Sequence, residues 1–127
     1  MYGLLFLDQF GGGFMKITKT NALRLWTQHF GNKQFAKDFH GNLMCRSAYG
    51  NGKFYIVKKG KKIFCGWNIH HIFPSSIGGK NDEANLLCTN MITNSLAGNK
   101  VTFHIDGNIY QVHRISGTSN HEIKRVK

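Results

Sequence analysis

Acidic residues are scarce in this chain: six Asp and Glu stand against seventeen Lys and Arg, a formal net charge of +11. That balance disfavours a cationic partner and suits a polyanion, either nucleic acid or an anionic membrane surface. Cysteine pairing is also missing. Cys45, Cys65 and Cys88 are odd in number, far apart and form no C-x-x-C pair, which argues against a disulfide framework and a four-cysteine zinc site. Buried thiols in a reducing compartment are the simplest expectation. No apolar run approaches the ~20 residues needed to cross a bilayer, so no membrane partner is expected. Residues 1–14 are apolar and glycine-rich but lack the basic start and small-residue cleavage site of a secretory signal. They read as a short strand or a flexible extension spanning 1–15, and translation could equally begin at Met15.

What is present is enough for one α+β domain over 16–127. A chain of 127 residues buries roughly two thirds of its unfolded surface in a single modest core. Ten Phe, four Tyr and two Trp supply bulky apolar material for it without staples. The spacing of Ala22, Leu23, Leu25, Trp26 and Phe30 predicts a helix over 18–30, with Thr20 or Asn21 as the cap and Gly31-Asn32 as the stop. Residues 35–52 read as loops with a short extended piece at 43–45. Two β-prone runs flank Lys58, Lys59, Gly60, Lys61 and Lys62, predicting a basic hairpin whose lysines are solvated or steer phosphate. A second hairpin is expected around Asp106-Gly107, because both central positions of a type I′ turn need positive φ. His104 and His113 fall on it as ordinary strand residues. The polar, basic stretch 117–127 reads as frayed or as a loose arm on nucleic acid.

The chemistry gathers in 66–100. Residues 67–73 have the composition of a short strand that Pro74 ends, which puts His70 and His71 at its tip. Gly78-Gly79 lets the chain reverse, 85–88 reads as a returning strand, and Thr89 or Asn90 can cap a short helix over 91–97 that Gly98 ends. The expected order is strand, loop, strand, helix. Histidine titrates near neutrality and binds metals through neutral imidazole, while asparagine offers a carbonyl ligand or an acceptor for a ring N–H. Hydrolysis of a phosphodiester needs a base for water and a cation for the phosphate charge, and this stretch holds candidates for both. A regular strand, however, turns His70 and His71 to opposite faces.

This stretch resembles the HNH endonucleases, also called His-Me finger or ββα-metal nucleases. His70 and His71 match the opening pair, Ile72 and Pro74 follow, Gly78-Gly79 and Asn81-Asp82 match the loop, and Asn85-Leu86 match the central asparagine. Asn94, nine residues after Asn85, stands where many members carry the last Asn or His. The resemblance implies a ββα-metal core at 66–100 and DNA hydrolysis with one divalent cation. It implies His71 as general base, Asn85 as the residue that fixes the loop and orients His71, and His70 and Asn94 as metal ligands. Asn90 and Asn99 compete with Asn94, Asn90 lying on the same helix face. A His where the family often has Asp makes the site less anionic, so Mn2+, Ni2+, Co2+ or Zn2+ competes with Mg2+ as the ion. Lys58, Lys59, Lys61, Lys62, Lys80 and Lys100 are the expected DNA contacts. RNA as substrate and a homodimer are left open. Small free-standing members are often encoded by phages or mobile elements, which places the expected location in the cytoplasm of a bacterial cell. The alternative is an inactive DNA-binding or inhibitory module on the same fold.

Overall fold

The computed structural model describes residues 13–127, so the expectation for 1–12 lies outside the described residues. These residues form a small α+β domain with two helices and several small antiparallel sheets. No helix among them is long and apolar enough to cross a membrane.

Helix α1 (Lys19–Phe30) starts two or three residues earlier than the expected caps Thr20 and Asn21 would place it, because Thr18 caps it. The Thr18 hydroxyl accepts the Asn21 backbone N–H at 3.2 Å, satisfying a donor that has no partner within the helix. Gly31, at φ 64°, ends the helix and returns its N–H to the Thr27 carbonyl. Ala22, Leu25 and Trp26 are its buried stripe. The Trp26 ring meets Trp67 at 5.0 Å between centroids.

Strand β1 (Phe35–Lys37) pairs with β2 (Leu43–Cys45). The loop expected over 35–52 is therefore partly a hairpin, too short to carry a readable period. Strands β3 (Tyr55–Lys58) and β4 (Lys61–Phe64) form the basic hairpin. Lys59 and Gly60 at its turn have φ 52° and 77°, the positive pair a type I′ turn requires. Strands β5 (Trp67–His71) and β6 (Leu86–Asn90) pair from Trp67 opposite Asn90 to His71 opposite Leu86. Helix α2 (Met91–Ala97) follows at once. Its cap is Asn90, whose side chain accepts the Ile92 N–H at 2.8 Å.

The two faces of the β5–β6 ribbon serve different neighbours. Trp67, Ile69, Leu86 and Cys88 join Leu25 and Trp26 of α1 in the larger core. Asn68 and His70, on the opposite face by strand alternation, meet Asn94 of α2. Beyond α2, Ala97 packs with Phe103, Ile105 and Tyr110 in a second core. That core belongs to β7 (Thr102–Ile105), β8 (Asn108–Arg114) and β9 (His121–Arg125), a three-stranded antiparallel sheet. Asp106 and Gly107, at φ 51° and 81°, make the expected turn between β7 and β8.

Both ends of the described chain are more ordered than the sequence suggests. Residues 117–127 are not a frayed arm: β9 pairs with β8 from Tyr110 opposite Arg125 to Arg114 opposite His121. Its polar composition hid a strand held by its bonds to β8 and by Ile123, which packs on the second core. At the other end, Met15 is buried and Phe14 bridges Asp82. Residues 13–15 are thus docked on the β5–β6 loop instead of extending from the domain.

Candidate active site

Strand β5 ends at His71, two residues before the expected limit, because Phe73 leaves the ladder for a side chain. The Asn85 amide accepts the Phe73 N–H at 2.8 Å and donates to the Phe73 carbonyl at 3.1 Å. Its NH2 also donates to the Lys80 carbonyl at 3.0 Å. One side chain thereby closes the loop between the two strands. Gly79 makes the same closure sterically specific, since a Cβ there would sit 1.7 Å from the Phe73 carbonyl oxygen. Gly79→Ala should therefore lower stability by about 2 kcal/mol, checked by urea unfolding, and should open the loop that carries Asn81.

His70 is 4% exposed, and its Nδ1 lies 2.5 Å from Asn94 Oδ1. The Asn94 NH2 donates to Asn68 Oδ1 at 2.7 Å, which turns the Asn94 oxygen toward the ring. An amide oxygen only accepts, so Nδ1 carries the proton in this pair. Burial pushes the His70 pKa down, the bond to Asn94 opposes that, and the charge of His71 adds to the lowering. His70 is consequently neutral at neutral pH, the form in which imidazole ligates metals.

The unfolded chain takes this proton first, near the ordinary histidine value of 6.5. In EDTA, the contribution of His70 to stability is fully present above that value and falls as the pH drops toward the lowered folded value. Urea unfolding from neutral to mildly acid pH should show this slope, and His70→Leu should flatten it.

His71 is half-buried, and its Nε2 lies 2.6 Å from Asn81 Oδ1. By the same logic Nε2–H donates and Nδ1 keeps its lone pair, the arrangement of a base held by a backing acceptor. Asn81 is itself anchored, its carbonyl accepting the Met15 N–H at 2.5 Å.

The predicted residues separate into groups. His70 and Asn94 come together across β5 and α2, with His71 next in the chain on the other face. Asn85 sets the loop through backbone groups, and the side chain bonded to His71 is Asn81. Asn90, the competitor of Asn94, is committed elsewhere: its NH2 donates to the Leu43 and Phe64 carbonyls. Asn99 is exposed past the end of α2. Lys58, Lys59, Lys61 and Lys62 are exposed on the β3–β4 hairpin, and Lys80 and Lys100 are exposed elsewhere. Among the described residues none of these six lysines is in an ion pair. Lys62 lies over the Tyr55 ring, 5.2 Å from its centroid, and no hairpin lysine is bonded to a site residue.

Sequence reasoning missed the roles of Asn81 and Asn68. Asn68 stands two residues before His70, so strand alternation already put it on the same face. Asn81 gave no such signal, because its position depends on the loop closure by Asn85 and Gly79.

One imidazole and one amide are too few donors for a structural metal. They suit an ion whose other positions are filled by substrate oxygens and water. Among the described residues no group of three or more His, Cys, Asp or Glu side chains comes together. Against protein-family models, curated proteins and solved structures, the chain has no match.

Proposed function

We propose that this chain is a small HNH endonuclease that hydrolyses DNA phosphodiester bonds, with β5, β6 and α2 as its ββα-metal unit. The observation that carries the reading is the meeting of His70 and Asn94 beside a second histidine whose Nδ1 is left free by Asn81. A divalent cation held by His70 and Asn94, taking the place of the proton they share in the metal-free pair, Mg2+ or Mn2+ with Ni2+, Co2+ or Zn2+ as substitutes, would neutralise charge developing on the phosphate and the leaving oxygen.

The remaining chemistry belongs to the protein's own groups. His71 Nδ1 takes the proton of the attacking water as its oxygen bonds to phosphorus and the P–O bond to the leaving sugar breaks. Asn81 holds the His71 ring in the tautomer that this transfer needs. Asn85 keeps the loop closed behind it. Because His70 and His71 leave the strand on opposite faces, the phosphate has to lie across the end of β5, where both rings reach. The excess of Lys and Arg supplies affinity that weakens steeply with salt.

Metal removal tests the reading directly. Supercoiled plasmid should be nicked or linearised with Mn2+ or Mg2+ and left intact in EDTA. Plasmid left untouched across Mg2+, Mn2+, Ni2+, Co2+ and Zn2+ would sink the proposal, and a gel shift persisting in EDTA would then favour a binding module.

A further inference from the structure

The loop closed by Asn85 also walls a cavity of about 210 Å3 that the hydrolytic residues do not use. Its other wall is the turn into β9. Phe73 and His121 meet there with their rings nearly parallel, 4.3 Å between centroids and 16° between planes. Around this stacked pair stand Lys80, Asp82, Ser119 and Asn120. None of these four side chains, nor the His121 ring nitrogens, has a hydrogen bond or ion pair to another described residue. An aromatic platform ringed by free donors and acceptors is therefore open at the rim of the loop that holds His71.

We propose that this cavity binds one unstacked nucleobase of a single-stranded stretch, stacked on the Phe73–His121 pair. The assignment deepens the nuclease reading and rests on it for where the substrate runs. Several features favour a nucleotide over a free anion. The lining carries one carboxylate, Asp82, and one ammonium, Lys80, so it has no net positive charge to attract phosphate alone. A carboxylate accepts from the amino and imino N–H groups of a base edge, and the Asn120 amide and Ser119 hydroxyl serve both donors and acceptors. The Lys80 ammonium can then meet the phosphate of the same nucleotide. The volume suits one base and not a duplex step. A base in this position has left its stack, which costs least in a single strand, a frayed end or a mismatch. Gly78, where an added Cβ would meet nothing within 4 Å, presents no side chain at the rim.

The test is binding in EDTA, where no cleavage occurs, using short DNA and RNA single strands carrying 2-aminopurine and a blunt DNA duplex of the same sequence. The wild type should quench the 2-aminopurine of at least one strand type. His121→Ala should weaken binding of that strand by about tenfold and remove the quench, with duplex affinity unchanged, and His121→Tyr should restore both. Circular dichroism confirms that each variant is folded, and the wild-type quench is a readout that needs no variant. Absence of quenching of either strand by the wild type overturns the proposal. So does equal binding of single strands by wild type and His121→Ala, or an equal loss on strand and duplex. The two readings fail separately. Single-strand quenching without cleavage under any metal removes the nuclease and keeps the base site. Metal-dependent cleavage with a His121→Ala protein of unchanged strand affinity does the reverse.

Discussion

His71→Ala should lower metal-dependent DNA cleavage by about three orders of magnitude while the unfolding midpoint stays close to wild type. The ring lies half-buried at the end of β5, and its polar contact among the described residues is the bond to Asn81. Removing it leaves only the Asn81 oxygen, at a position water can reach, to be solvated. Little packing is lost, yet no other group next to His71 can take its proton. Asn81→Ala should act through His71 and cost less, about tenfold to a hundredfold, because the ring survives but is no longer held in one tautomer. His70→Ala differs from both. It removes a buried ring that sits tilted against Phe39, 6.4 Å between centroids, and strands the Asn94 oxygen, so stability and cleavage should fall together. Steady-state cleavage rates beside urea curves for the three variants separate these cases. Equal cleavage by wild type and His71→Ala would remove His71 from the mechanism.

The parts of the fold that were legible in the sequence are those governed by local chemistry. Helix α1 follows from the spacing of Ala22, Leu25 and Trp26, and its end from Gly31. The type I′ turn at Asp106-Gly107 follows from the few residue pairs that accept positive φ in succession, and the basic hairpin from two β-prone runs around Gly60, although its turn type did not show. Helix α2 was readable from Asn90 at its start and Gly98 at its end. The illegible parts depend on partners distant in sequence. Strand β1 exists because β2 pairs with it across a turn organised by a single carboxylate, and β9 exists because β8 offers it an edge.

The same division runs through the candidate site. His70, His71 and Asn94 stood out as residue types on elements of known direction, and alternation alone placed the two histidines on opposite faces. Asn81 and His121 did not stand out. Asn81 lies in a loop whose path is set by Asn85 and Gly79, and His121 opens a strand that is placed by the β8–β9 pairing. Thr18 as the cap of α1 is a smaller instance, where three capping residue types within four positions, Thr18, Thr20 and Asn21, made the choice local but degenerate.

Asp38→Ala should destabilise the domain by about 3 kcal/mol and abolish cleavage with it, although Asp38 belongs to neither the site nor the cavity. Its carboxylate is buried and accepts four backbone N–H groups. Oδ1 takes those of His40, Gly41 and Asn42 at 2.9 to 3.0 Å, and Oδ2 takes that of Asn90 at 3.0 Å. Three of these bonds shape the β1–β2 turn, and the fourth fixes the residue that caps α2. The turn then grips its surroundings twice more. Asn42 donates to the Thr93 hydroxyl of α2 at 2.8 Å, while the His40 ring lies 2.7 Å from both the Tyr110 hydroxyl and the Asp106 carboxylate. Without the carboxylate, the buried Asn90 N–H has no acceptor and the start of α2 is released. Asn94 then loses the position that brings it to His70. Asp38→Asn separates charge from shape: its oxygen can still serve the turn, but its NH2 faces the Asn90 N–H as one donor against another. It should cost less than alanine in urea unfolding if shape holds the turn. An equal cost would mean that the negative charge, set against four N–H dipoles, is what keeps α2 against β5.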